Sequence, residues 1–323
     1  MKLVTYDAGD GIGRPGALIA EGTRIADLAR ASDGAVLSVQ GIAEGGESAL
    51  AQAQEAAARA SGEAVLDREE VRLLAPIQPP IQMRDCLCFE THLIQAFQNA
   101  RKLRAQQFDD PEAAMKEMEA KGILSVPRTF YEQPIYYKAN RFSVVGHEHD
   151  VIWPHYSSFM DFELEFGIYI GKTALDVRKE DARAHIFGYT IFNDFTARDA
   201  QTKEMGGSLG PAKGKDFDTA NPMGPCLVTA DELSDPYSLE MICRVNGEEW
   251  GRGSSGSMYW SFEDVIAHVS ACETLRPGEF LGSGTVGNGC GLEHMKFLSP
   301  GDVVELEVEG IGILRNRLVK PGT

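Results

Sequence analysis

Hydrophobic positions along this chain recur mostly with period two, the spacing of a strand, and only a few windows show the 3.6-residue recurrence of an amphipathic helix. The opening segment predicts short strands over residues 2–6, 17–20 and 23–27, then an alanine-rich helix over 48–60 that closes at Gly62. The run APIQPP, residues 75–80, suits neither a helix nor a central strand and divides a small leading domain, 1–75, from a larger one, 76–323. Beyond it the period lengthens. Residues 91–107 read as a helix, and Asp110-Pro111 followed by a helical pattern to Lys121 and Gly122 reads as a capped second one. A helical lid of about 91–133 therefore sits between two strand-rich regions. From Ile135 onward strands separated by Gly and Pro dominate, except over 261–275, where Ser261 and Asp264 suggest a capping box and Pro277-Gly278 stops the helix. Strands and helices do not alternate regularly, which argues against a doubly wound sheet and for a β-rich α+β fold.

One strand pattern is unusual. In DFELEFGIYIGK, residues 161–172, period two puts Phe162, Leu164, Phe166, Ile168 and Ile170 on one face and Asp161, Glu163 and Glu165 in a row on the other. Same-face neighbours lie roughly 6.5–7 Å apart, so three carboxylates in line repel one another unless water or a cation screens them. A solvated sheet face is the ordinary reading of such alternation. The sharper reading is a hard divalent cation, which demands oxygen ligands; Glu163 and Glu165 supply two, and Asp194, at the polar end of the apolar run 189–192, is the candidate third.

Composition narrows the function. The 323 residues are 43% hydrophobic, enough for a folded core, and carry 31 Lys and Arg against 48 Asp and Glu, a formal net charge of -17 that opposes nucleic acid and anionic membranes as partners. The six cysteines form no CxxC pair, so neither a zinc framework nor a disulfide scaffold is expected. The N-terminus lacks an apolar signal core and no run approaches the roughly 18 apolar residues of a membrane span, so a cytoplasmic protein is expected. Two glycine-rich stretches carry little chemistry: GDGIGRPG leads into a strand pattern and reads as a hairpin turn, and GPAKGKD has the wrong spacing for a phosphate loop.

Five stretches in order, CFETH, DFELEFGIYIGK, GYTIFNDFTARDAQ, GPAKGKDFDTANPMGP, and VNGEEWGRGSSGSMYWSFEDVIAHVS with LRPGEFLGSGT, make the chain resemble the fumarylacetoacetate hydrolase family over most of residues 80–315. The resemblance implies a C-terminal mixed β-roll, a homodimer, and a site for magnesium first, manganese or calcium otherwise. By motif position it implies Glu163, Glu165 and Asp194 as metal ligands, His92 and Lys215 as catalytic residues, and Tyr137, Gln201 and Thr285 as substrate contacts. Asp85 falls where long members have a further acidic ligand, although Cys86 to Phe89 departs from their pattern, and Asp161 is expected behind the ligands. Short members place Glu three residues after the histidine; here that position is Gln95, which can orient an imidazole but cannot take its proton, leaving Glu90 or Glu293 as partner.

The chemistry so implied is cleavage of a carbon–carbon bond in a 1,3-diketo acid, fumarylacetoacetate- or acylpyruvate-like, through a metal-stabilised enolate. His92 would activate the water and Lys215 assist. Decarboxylation, tautomerisation or hydration of a 2-oxo acid on the same fold is the rival, and a non-enzymatic metal-stabilised binding protein the distant alternative.

Overall fold

A computed structural model describes residues 1–322. Period-two patterns become two large sheets and a two-stranded ribbon, Met160–Asp161 with Thr196–Ala197. The larger, of twelve strands, runs in the order Val65–Asp67, Arg24–Asp27, Gly13–Ile19, Lys2–Asp7, Asn221–Thr229, Ile186–Asn193, Leu164–Ile170, Phe280–Gly282, Met83–Leu87 and Ile135–Lys138, with two short strands paired off this path. The second large sheet has five, Glu248–Ser254, Glu240–Val245, Val303–Val308, Gly312–Val319 and Asp150–Ile152. Pairing is mostly antiparallel, but Phe280–Gly282 runs parallel to Met83–Leu87 and Gly312–Val319 to Asp150–Ile152, so both sheets are mixed. The leading segment joins the main sheet directly, Lys2 and Leu3 pairing with Val228 and Leu227, so hydrogen bonding crosses the boundary expected near residue 75.

The strand Leu164–Ile170 is buried on both faces. Its apolar face packs in the main core with Phe262, while Tyr169, on the acidic side, meets Phe280 at 5.2 Å between ring centroids. Gly167 is required there because a Cβ would overlap the Phe280 ring. The acidic row is therefore no solvated sheet face: Asp161, Glu163 and Glu165 are 0, 5 and 0% exposed.

Local signals hold at several ends. Asp7 Oδ1 accepts the N–H groups of Gly9, Asp10 and Gly11, closing the hairpin that GDGIGRPG suggests. Asp110 caps Pro111–Ala120, and Ser261 with Asp264 forms the capping box of Phe262–Ser270. Three details differ. The leading helix spans Val39–Arg59, because Ser38 caps it early and Gly46, at φ 60°, kinks it without ending it. Phe262–Ser270 ends short of Pro277, since Ala271 leaves the helix at ψ 107° and Cys272 then turns to φ 57°. Lys215, in the GPAKGKD stretch that carried little chemistry by its spacing, lies on the short helix Ala212–Lys215 and is buried. The helical segment is real, as Glu90–Ala105, Pro111–Ala120 and Arg128–Glu132. No described helix is long and apolar enough to cross a membrane.

Candidate active site

Strand register builds the site. Leu164–Ile170 pairs antiparallel with Ile186–Asn193, Leu164 facing Asn193 and Glu165 facing Phe192, so the start of one strand and the end of the other deliver Glu165 and Asp194 to one edge. The parallel pair Gly282 and Asp85 adds a third carboxylate. Gly282 and Gly284 make that approach possible: a Cβ on Gly282 would overlap Asp85 Oδ1, while Gly284 N–H donates to the same oxygen at 3.1 Å. Asp85, Glu165 and Asp194 each present an oxygen, all within 4.8 Å of one another and all buried.

Two cations balance part of this charge. Lys215 Nζ donates to Glu163 at 2.6 Å, to Asp194 at 2.5 Å and to Thr196 at 2.9 Å, which engages all three of its donors. Arg198 Nε donates to Asp161 at 2.8 Å, while its Nη1 lies 2.8 Å from Glu163 and donates to Gln201 at 3.1 Å. Burial would raise the Glu163 carboxyl, but Lys215 and Arg198 outweigh it and hold it at about 2. In the trio burial wins instead: Lys215 lowers Asp194 and Asp85, yet Asp194 stays above the ordinary carboxylate range. Burial and the Asp194 charge push Asp85 up to about 7, and burial with Asp85 and Asp194 pushes Glu165 up as well. Burial alone would lower Lys215; Asp194 and Glu163 reverse this and keep it charged.

The proton-transfer candidate stands beside this nest. His92, third residue of Glu90–Ala105, has Nδ1 at 3.1 Å from Glu293 Oε1. Glu293 is therefore its partner. Glu90 instead accepts from Tyr131 OH at 2.5 Å, and Gln95 is tied to Asn288. Asp161 is the brace between the two groups: it accepts from Gly291 and Leu292 N–H at 2.8 and 3.0 Å and pairs with Arg198, anchoring the turn that carries Glu293 to the acidic strand.

The three expected substrate contacts converge here. Tyr137 OH donates to Asp194 at 2.7 Å, Thr285 Oγ1 to Glu165 at 3.3 Å, and Gln201 touches Arg198. Of the three expected ligands, Glu165 and Asp194 join the trio, whereas Glu163 faces Lys215 and Arg198; Asp85 takes the third place in the cluster. Arg198 and Asn221, which donates to Asp194 at 3.1 Å, went unnoticed in the sequence. The signal for Arg198 was the acidic row itself: a buried run of carboxylates needs a nearby cation, and TARD supplies one.

The residues suit a divalent cation. The donor set is all oxygen, and Glu165 Oε2 is buried with no hydrogen-bond partner, an orphan that a cation would satisfy.

The family model for the fumarylacetoacetate (FAA) hydrolase C-terminal region matches residues 106–319. A human mitochondrial oxaloacetate tautomerase is 38% identical over 189 residues, 58% of this chain and 60% of the relative, so the matched stretch spans about three-fifths of that protein's length. A mitochondrial oxaloacetate tautomerase of Xenopus laevis is 32% identical over 321 residues, 99% of this chain and 90% of the relative. Among solved structures, maleylpyruvate hydrolase from a Sphingobium species, in complex with manganese and pyruvate, superposes with TM-score 0.72 at 22% identity over 99% of each chain, a likeness of fold. A family match over residues 106–319 and a relative aligned along nearly the whole chain leave one conclusion: the protein belongs to the fumarylacetoacetate hydrolase family of enzymes, which holds tautomerases and hydrolases alike.

Proposed function

We propose that the protein is a divalent-cation-dependent tautomerase of a small 2-oxo dicarboxylic acid of the oxaloacetate type. The observation that carries this reading is the similarity to an oxaloacetate tautomerase along 99% of the chain, and the His92–Glu293 pair, 3.1 Å apart and braced through Asp161 against the carboxylate nest, supplies the proton transfer it needs. The names of the relatives favour oxaloacetate among 2-oxo acids.

Asp85, Glu165 and Asp194 would hold the cation, with magnesium or manganese suited to their oxygen donors. Glu163 joins them only where Lys215 releases it. The bound cation supplies Lewis acidity toward the substrate's keto oxygen. The chain does the rest. His92, oriented by Glu293, takes a proton from the carbon between the keto group and the distal carboxylate; the electron pair of that C–H bond moves into the new carbon–carbon double bond, and the proton is delivered to the former keto oxygen. Lys215 contributes a fixed positive charge, and one of its donors becomes free for the substrate once Asp194 turns elsewhere. Thr285 and Tyr137, on Glu165 and Asp194, stand ready to orient the substrate.

Hydrolysis of an acylpyruvate is the second reading, and one observation favours it. Glu293 supplies the acid that Gln95 withholds, so His92 has the partner it needs to activate water.

The two readings separate in one experiment. Magnesium-loaded protein is given the enol of oxaloacetate while its ultraviolet absorbance is followed, and in parallel acylpyruvates in ¹⁸O-labelled water. Enol-to-ketone conversion that His92→Ala slows by about 10²–10⁴-fold supports the tautomerase. No acceleration of that conversion, with label entering a released carboxylic acid, would hand the site to hydrolysis.

A further inference from the structure

Beside the oxygen-only trio lies a cluster of different chemistry. His92, Cys290 and Glu293 each offer one atom, a nitrogen, a sulfur and an oxygen, all within 4.8 Å of one another. We propose that this cluster is a second cation site, selective for a thiophilic ion of the zinc class, and that its occupation stops turnover by taking His92 and Glu293 out of proton transfer.

The ligand set is the first argument. Thiolate with imidazole and one carboxylate is a zinc-type donor set, whereas magnesium binds through oxygen alone, so softness sorts the two ions between neighbouring sites. Geometry is the second. A tetrahedral ion with bonds of about 2.0–2.3 Å holds its ligand atoms roughly 3.3–3.7 Å apart, so the widest pair has at most ~1.5 Å to close. Pre-organisation is the third. Cys290 and Glu293 are locked in one short turn, where Cys290 N–H donates to Glu293 Oε2 at 2.9 Å. Asn99, on the helix that carries His92, donates to the carbonyls of Leu292 and Glu293 at 3.0 and 2.7 Å, fixing helix and turn together. A tenth of the His92 side chain is exposed while that of Glu293 is fully covered, so entry is past the imidazole. On binding, the S–H bond breaks, its proton leaves to solvent, and the sulfur pair forms the bond to the ion. The fourth position remains for water.

Binding is read without substrate, so its outcome is independent of the proposed tautomerase activity; only the effect on turnover rests on that reading. The protein is saturated with magnesium, carries Cys272→Ser to remove the exposed thiol, and is titrated with cobalt as an optical probe for zinc. One equivalent should produce a thiolate-to-cobalt charge-transfer band in the near ultraviolet, and zinc should bleach it. Cys290→Ser keeps the backbone N–H that donates to Glu293 and puts a favoured residue at a helix N-cap, so it should melt with the parent. It should show no band and bind zinc at least ~10–100-fold more weakly. No band in the parent, an equal band in Cys290→Ser, or a band abolished by excess magnesium would overturn the assignment.

Discussion

The carboxylate nest and the helical cover over residues 90–133 are built on opposite principles. In the nest each side chain comes from a strand or its immediate end, is almost wholly buried, and is held by several partners: Asp194 alone accepts from Lys215, Tyr137 and Asn221. The cover is largely exposed and is tied down at a few points, among them Gln95 to Asn288, Asn99 to Leu292 and Glu293, and Trp260 Nε1 to Phe130 O at 2.7 Å. His92 belongs to the cover by sequence and to the nest by contact. Charge is therefore assembled on the rigid element, where repulsion would otherwise push it apart, while the residue proposed to move a proton sits on the more exposed cover.

The sharpest break in that comparison would come from His92. His92→Ala should lower kcat by about 10²–10⁴-fold while magnesium affinity and melting temperature stay at parental values. A variant that loses its metal or its fold would place His92 among the structural residues of the nest.

Arg198 is the converse case. It pairs with Asp161 and Glu163 and is buried, so Arg198→Met leaves two carboxylates without their shared cation and should cost roughly 3–5 kcal/mol of stability in urea unfolding. A midpoint unchanged from the parent would show that the nest does not depend on this pair.

Asp85→Asn should be smaller and should change sign. Burial and Asp194 raise the Asp85 carboxyl from 3.8 to about 7 in the fold. The unfolded chain thus ionises first, and stability falls as pH rises from about 3.8 toward 7. The amide removes that penalty and can still accept from Gly284 N–H. The metal-free variant should gain roughly 1–2 kcal/mol, more at pH 8 than at pH 5. In saturating magnesium it should be the less stable protein, because tighter binding to the parent adds to the parent's stability. A destabilised metal-free variant would deny the charge conflict in the nest.

Much of this architecture was legible from residue pattern. Asp161, Glu163 and Glu165 stood out because three acids in line repel one another, although alternation alone also fits a solvated face, and Asp194 stood out at the polar end of an apolar run. Three features were not. Glu163 and Glu165 look equivalent in sequence, but Lys215 and Arg198 arrive from residues far along the chain and engage one and not the other. The choice between Glu90 and Glu293 depends on a long-range turn closing over the helix, which periodicity does not encode. Hydrolysis stood first in the residue reading, with Gln95 as the objection to it; Glu293 removes the objection, yet the similarity to tautomerases shifts the preference.

The smallest effect should come from the cover's own closure. Tyr131 OH donates to Glu90 at the start of the first cover helix, and its ring packs on Phe130 and Tyr259 at 5.2 and 5.7 Å between centroids. Tyr131→Phe keeps the ring packing and deletes only the hydroxyl that joins the end of the cover to its beginning. Tyr131 is exposed and Glu90 half-buried, so stability has little to lose and the melting temperature should match the parent. If the cover admits substrate, as the proposed function has it, KM should move, by ~2–5-fold, with kcat unchanged. Steady-state kinetics separates the two terms. A fall in kcat without a change in KM would mean that the cover shapes the chemical step through Glu90 and His92, two residues apart on one helix, and the division between a nest that holds charge and a cover that admits substrate would have to be redrawn at that helix.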